Sequence, residues 1–327
     1  MSLLTQCQIP KSQQSETDEM VTIMSFNILQ GGHNAANVGF PNSMFNGSRY
    51  DDLANIILNI NPDIVGIQED TSTDSLLYAL GDEWYRCKNI YSKYKMKFLE
   101  SSHSMVNACR VYLPHNDSLV FINTHWWPVG GLGYVEKTII SNKKKPEDMK
   151  AFEKEVIEAT LPTENGPRGY NATLNMVKKY LTAGEKVIVV GDFNEPSHLD
   201  WTERYVREGK DKWIKNRSSI PFKFAIEWPG SKKMAEIGLM DAYRVANPDE
   251  VNKPGFTWTP PYANGTPGRK DYDDQTLERL DRIYFNAGLL KCTSSSVITN
   301  AEGDGEIKID CIWPSDHWAL CAEFSVK

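Results

Sequence analysis

Residues 187–194 read Val187-Ile188-Val189-Val190-Gly191-Asp192-Phe193-Asn194, four β-branched residues that break into a glycine and then an Asp and an Asn. A short run that is apolar at every position is a strand covered on both faces, the kind found inside a layered α/β fold. The segments 21–28, 64–67, 105–113, 119–123, 279–285 and 318–324 repeat the pattern, and helical periodicity occupies 50–58, 146–158, 170–180 and 232–239. Strands and helices interleave through both halves, and no Gly/Ser-rich or Pro-rich linker divides them. The chain therefore reads as a single α/β domain over 21–327, two packed β-sheets flanked by helices, behind a polar, aperiodic lead-in at 1–20. The interval 126–169 is expected to be a long Gly-rich binding loop, because it opens Trp126-Trp127-Pro128-Val129-Gly130-Gly131.

Composition narrows the function classes. The 327 residues carry 36 Lys plus Arg against 43 Asp plus Glu, a net charge of −7, which excludes a generally basic protein held to nucleic acid by bulk charge. With 40% apolar and 11% aromatic residues the chain can build a large core, so disordered, collagen-like and disulfide-miniprotein classes fail. No stretch approaches the ~18 apolar residues of a membrane helix. The start also lacks the basic and apolar regions of a secretory signal, which leaves a cytoplasmic chain or an extracytoplasmic one whose signal has been removed. The six cysteines show no C-x-x-C spacing; most read as small buried hydrophobes, with a Cys87–Cys109 bridge permitted in an oxidising compartment. No pattern sets an oligomeric state.

The chemistry lies in where the polar residues fall, directly after or within apolar strand runs. Asn27 sits within the first, Glu69 follows the second, and His125 follows Val-Phe-Ile-Asn-Thr; Asp192 and Asn194 follow 187–191, Asp281 lies in Arg-Leu-Asp-Arg, and Asp316 and His317 lie in Pro-Ser-Asp-His. Each alone has an ordinary structural reading: a core amide, a solvated turn, a packed imidazole. Together they place oxygen and imidazole groups on one rim of a rigid scaffold. Oxygen donors suit a hard cation, Mg²⁺ or Mn²⁺, which with substrate phosphate oxygens would neutralise a phosphoryl transition state, while a carboxylate or imidazole orients and deprotonates water. The pattern points to phosphoester hydrolysis.

In this order, Phe-Asn, Gln-Glu, Asn-Thr-His, Gly-Asp-Phe-Asn, Leu-Asp-Arg-Ile and Ser-Asp-His resemble the endonuclease/exonuclease/phosphatase superfamily, over nearly all of 21–324. The resemblance implies a four-layer α/β/β/α sandwich of DNase I-like type with the site at one end of two mixed sheets. It implies Glu69 as principal metal ligand, Asn27 near it and Asp316 as a further metal or water contact. By the same resemblance Asp192 orients or deprotonates the nucleophile and Asn194 binds the scissile phosphate. His317, held by Asp281, contacts phosphate or acts as base, and His125 stabilises the phosphate or assists the leaving group. The runs around Asp192, Asp241 and Trp258 resemble a bacterial branch known only at superfamily level.

The substrate stays open at this point. A phosphodiester or phosphomonoester of modest size leads. Arg-Leu-Asp-Arg lacks the Trp-Cys element of inositol phosphatases. A nuclease would use the segment 204–233, with nine basic against three acidic residues interleaved with Trp213, Phe222, Phe224 and Trp228, although the net charge disfavours nucleic acid. A sphingomyelinase-type enzyme would use exposed aromatics such as Trp126 and Trp127, and a binding module that merely keeps the cleft ranks last. Trp126, Trp258 and His198 are taken as substrate-binding candidates, His198 and Asp200 being close enough to Asp192 in sequence to join the site, with Asp241 pairing Arg244.

Overall fold

The computed structural model describes residues 19–33, 35–40, 42–71, 73–102, 105–128, 130–161, 169–213, 220–260, 275–301 and 307–326. In chain order its strands are β1 (Glu19–Asn27), β2 (Ile64–Gln68), β3 (Tyr85–Cys87), β4 (Ile90–Ser92), β5 (Met96–Ser101), β6 (Val106–Tyr112) and β7 (Ser118–His125). There follow β8 (Val187–Asp192), β9 (Met240–Asp241), β10 (Asp281–Phe285), β11 (Leu290–Thr299), β12 (Ile307–Lys308) and β13 (Ala319–Val326). They form a seven-stranded sheet, β12-β11-β13-β1-β2-β4-β3, and a six-stranded sheet, β5-β6-β7-β8-β10-β9. Each sheet is mixed. β1 runs parallel to β2 and antiparallel to β13, and β8 runs parallel to β7 and antiparallel to β10.

A parallel pair needs a crossover, and here the crossovers supply the outer layers. Helix Tyr50–Ile60 joins β1 to β2; helices Met149–Thr160 and Tyr170–Thr182 lie between β7 and β8. The four β-branched residues of β8 show why they had to be apolar throughout. Ile188 and Val190 pack with Phe121 and Ile283 in the core that also takes Ile23 and Ile67 of the first sheet, whereas Val187 and Val189 pack against Leu174, Val177 and Tyr180 of the outer helix. Each such fully buried aliphatic side chain contributes about 1.5–3 kcal/mol.

Two glycines mark where backbones come too close for a side chain. A Cβ at Gly66 would lie 2.2 Å from Val190 Cγ2 across the sheet interface, and one at Gly191 would lie 2.1 Å from the Thr124 carbonyl oxygen on β7. A side-chain methyl can yield; a carbonyl inside a strand ladder cannot. Gly191→Ala is therefore expected to destabilise the fold by about 3 kcal/mol, seen as a lower urea midpoint, and an unchanged midpoint would show that β7 and β8 can separate.

The structure departs from the sequence reading in places. Glu19 and Met20 pair with Val326 and Ser325, so β1 begins inside the expected lead-in, because backbone pairing does not require apolar side chains; residues 1–18 lie outside the described set. The strands β3, β4, β5, β9, β11 and β12 were not anticipated: some are two or three residues long, β5 mixes polar and apolar residues evenly, and β11 is largely polar. The interval 126–169 is not a Gly-rich loop over its described residues. Helix Gly131–Val135 runs on into π-helical Glu136–Ser141, and Leu132, Val135 and Ile139 pack with Phe152, Val156, Trp201 and Trp228. Residues 129 and 162–168 lie outside the described set.

Candidate active site

Three neighbouring strands deliver three candidate site residues in one row. His125 on β7 pairs with Asp192 on β8, and Asp192 pairs with Asp281 on β10. Alternation along a strand turns residues two apart to the same face. Asp192 therefore follows Ile188 and Val190, and Asp281 leads Ile283 and Phe285, onto the face turned towards the other sheet. From that sheet Asn27, at the end of β1, donates through Nδ2 to Asp192 Oδ2 at 3.0 Å and to Glu69 Oε1 at 3.1 Å. Its Oδ1 accepts from the Leu29 N–H at 3.0 Å, which fixes the amide. Glu69 comes round to Asn27 because its backbone is left-handed, φ 59°, and Gln30 N–H donates to Oε2 at 2.6 Å.

Asn194 is also left-handed, φ 47°. Its N–H closes on Asp192 Oδ1 at 2.8 Å, while its Nδ2 donates to the Trp126 carbonyl at 2.8 Å and to Asp192 Oδ2 at 3.1 Å, and lies 3.2 Å from His125 Nε2. His317 approaches from the loop before β13. Its Nδ1 lies 2.8 Å from Asp281 Oδ2, and its Nε2 lies 3.6 Å from Asp192 Oδ2, with His125 Nε2 at 3.4 Å from the same oxygen. The loop is tied down by Ser315, whose Oγ donates to the Asn27 carbonyl at 2.6 Å, and by Trp313 Nε1, which donates to the His317 carbonyl at 2.6 Å. Asp316 is buried beside His317.

The charges reinforce one another. Burial alone would push the His317 imidazole down, but the Asp281 and Asp192 carboxylates outweigh it and raise it to about 10. Burial likewise opposes, and Asp192 reverses, the shift of His125, which is also raised. Burial would raise Asp192, yet His317, His125 and the Asn194 N–H hold it well below the usual carboxylate range. A raised His317 stabilises the fold fully below its unfolded value, about 6.5, and loses that contribution as pH climbs to about 10. In EDTA, the urea midpoint should fall over that window by a margin worth on the order of a few kcal/mol, and His317→Asn should flatten the slope. A wild-type midpoint flat from pH 6.5 to 10 would remove the imidazolium from this account.

Hard donors are grouped in two ways. Asp192, Asp281 and His317 offer ligand atoms within 4.8 Å of one another, all buried. Two of these are already engaged in their mutual hydrogen bond, whereas Glu69 is partly exposed beside Asn27. A hard divalent cation that must also reach a substrate fits the second group better.

Other expected residues go elsewhere. Trp126 is fully buried, packed edge-on against Tyr170 and Phe193 with Nε1 donating to Thr173, so it cannot serve as a substrate contact through its side chain; Trp127 is 47% exposed. His198 does not join Asp192. Its Nδ1 lies 2.9 Å from Ser231 Oγ, and its ring lines a separate cavity of about 660 Å³ with Tyr284, which alternation turns to the opposite face of the sheet from Asp281. Trp258 does border the site: it is partly buried, and its backbone bridges to that of His317. Asp241 meets Arg244 only through the backbone, capping helix Ala242–Ala246 by accepting the Arg244 N–H at 3.3 Å; the Arg244 guanidinium donates through Nε to Asp200 at 2.8 Å, and Asp241 takes Arg279 at 2.8 Å.

In the segment 204–233 five of the described cations are engaged in ion pairs, while Lys210 and Lys212 are exposed. Arg204 pairs with Asp249 and Glu250, Arg207 with Glu208, Lys223 with Glu278, Lys232 with Glu227 and Lys233 with Glu236. Phe222, Phe224 and Trp228 are core residues; residues 214–219 lie outside the described set.

Sequence reading missed the supports beneath the row. Asn123 Nδ2 donates to the Ile67 and Asn89 carbonyls at 2.7 and 2.9 Å, and its Oδ1 accepts from Gln68 at 2.7 Å, joining the two sheets just below Glu69. Arg49, fully buried, donates to the carbonyls of Ile28, Leu29 and Pro314 and so holds the loops after β1 and before His317 together. The Asn-Thr-His run carried a signal for Asn123, two residues before His125 and so on its face; nothing adjacent to Arg49 did.

Comparison with known proteins identifies the family and the fold. A family model described as the Endonuclease/Exonuclease/phosphatase family matches residues 24–317. The Caenorhabditis elegans protein called Uncharacterized protein F14F9.5 is 26% identical over 326 residues, covering 94% of this chain and 92% of its own length. Among solved structures, an endonuclease/exonuclease/phosphatase family protein from Bacteroides thetaiotaomicron has the same fold, with a TM-score of 0.50 at 14% identity over 95% of this chain and 100% of that one. The 3'-5' exonuclease (NExo) from Neisseria Meningitidis gives a TM-score of 0.48 at 18% identity over 93% and 99%.

Proposed function

The chain belongs to the endonuclease/exonuclease/phosphatase family, and from that premise we propose that it is a divalent-metal-dependent phosphoesterase which directs water in line at the phosphorus of a modest-sized phosphodiester or phosphomonoester. The observation that carries the reading is the setting of Asp192. Its carboxylate takes amide N–H bonds from Asn27 and Asn194 and sits between two imidazoles at 3.4 and 3.6 Å. Such a group stays ionised and fixed in direction, suited to accept a hydrogen bond from the attacking water and aim its lone pair.

Glu69 and Asn27 would hold Mg²⁺ or Mn²⁺, with Asp316 a further contact, and the ion would neutralise charge on phosphate and leaving-group oxygens. The protein's own donors complete the site. His317, kept in one orientation by Asp281, offers its Nε2 proton towards the row, and His125 offers a donor on the other side of Asp192, where a non-bridging phosphate oxygen would lie; Asn194 would turn to that oxygen one of the two amide hydrogens that serve the Trp126 carbonyl and Asp192. Ion pairing of five of the nine cations in 204–233, among them the buried Lys223, weakens the case for a nuclease that grips a strand there, and the burial of Trp126 speaks against its use at a membrane surface.

Hydrolysis in ¹⁸O-labelled water tests the step. Label is expected in the phosphate-bearing product and none in the released alcohol. Label in the alcohol would mean attack at carbon, and the role given to Asp192 would fail.

A further inference from the structure

Cys87 and Cys109 face each other from different sheets. Cys87 ends β3, the edge strand of the seven-stranded sheet, and Cys109 is central in β6, the strand next to the edge of the other. Both are free thiols, and their sulfurs lie 2.8 Å apart, well inside the separation of two sulfurs in ordinary contact. Their neighbourhood already crosses the interface: Asn89, two residues after Cys87, meets Asn107, two residues before Cys109, at 2.9 Å, and the Asn89 carbonyl accepts from Asn123. The pair therefore sits in a part of the interface held by hydrogen bonds on one side.

We propose that Cys87 and Cys109 are a thiol–disulfide site, oxidised by a small-molecule disulfide to a bond that staples the two sheets together. Access sets the order of events. Cys109 is fully buried and Cys87 partly exposed, so an oxidant meets Cys87 first. The Cys109 S–H donates to Cys87 and, against burial and with help from Lys88, lowers its thiol to about 7, while the same hydrogen bond and burial raise Cys109. The Cys87 thiolate attacks one sulfur of the oxidant and releases one small thiolate, leaving a mixed disulfide. Cys109 gives up its proton, and its sulfur attacks that of Cys87 and expels the second small thiolate. Two protein thiols are oxidised, one small disulfide is reduced to two thiols, and nothing else is required.

This site does not depend on the phosphoesterase reading. The full chain would be incubated with glutathione disulfide or with dithiothreitol, alkylated, digested and mapped by mass spectrometry, with thermal melts taken in parallel. A linked peptide pair containing Cys87 and Cys109 is expected only after oxidation, with Tm raised by about 5 °C for a loop of this length. Cys87→Ser should show neither, and Cys109→Ala should stop at the mixed disulfide on Cys87. Free Cys87 and Cys109 after oxidation, a persistent mixed disulfide in the wild type, or a linked pair without a rise in Tm would each overturn the proposal.

Discussion

Asp192→Asn is expected to lower kcat by about 10³-fold, close to 4 kcal/mol of lost transition-state stabilisation, with the fold intact. Asparagine keeps the volume of the side chain and one oxygen for the Asn27 and Asn194 amides, at the loss of the single bond from the Asn194 N–H to Oδ1, so the fully buried pocket around it keeps most of its contacts. What disappears is the negative charge that both imidazoles lean on, and with it an acceptor able to orient water. The same variant should therefore lower the His317 imidazole from its raised value, since Asp192 is one of the two carboxylates that raise it. Steady-state kinetics and an NMR titration of His317 read the two effects separately. Turnover within about tenfold of wild type would displace Asp192 from the centre of the reaction.

The largest effect on stability is expected at Arg279, from the run that also carries Asp281. Its guanidinium is buried and donates to both oxygens of Asp200 and both of Asp241. Although burial opposes it, these two carboxylates raise Arg279, and Arg279 with Arg244 holds Asp200 below the usual range. Truncation would leave Asp241 in the core without its cation, whereas Asp200 would keep Arg244. Arg279→Met is therefore expected to cost about 3–5 kcal/mol, and adding Asp241→Asn should restore part of it by removing the stranded charge. Urea unfolding of the single and double variants measures this; a double variant no more stable than the single would mean that the loss comes from packing instead.

Legibility from sequence followed face rather than proximity along the chain. The continuous apolar runs announced β1, β2, β7, β8, β10 and β13, the strands that carry or flank the site, because a strand covered on both faces leaves no polar position to blur the pattern. Edge strands such as β5, where Lys97 and Glu100 stand among apolar residues, left no comparable trace. Within the site, His125, Asp192 and Asp281 were recoverable because each ends or begins such a run. Trp126 was misplaced for the converse reason: one step beyond His125 the side chain turns to the opposite face and enters the helix-side core. His198 was drawn in by nearness to Asp192 in sequence, but the chain after Asn194 runs under that outer face towards Ser231. Charge counting along the basic segment could not see the partners of Arg204 and Lys223, since Asp249, Glu250 and Glu278 come later in the chain.

The most direct test is turnover of a phosphodiester reporter and a phosphomonoester reporter by the wild-type protein with Mg²⁺, with Mn²⁺ and with EDTA. Hydrolysis of at least one reporter is expected with either ion, abolished by EDTA, restored by added metal and sharply reduced in Glu69→Gln. Hydrolysis that persists unchanged in EDTA and in Glu69→Gln would contradict the assignment of Glu69 and Asn27 to a catalytic cation.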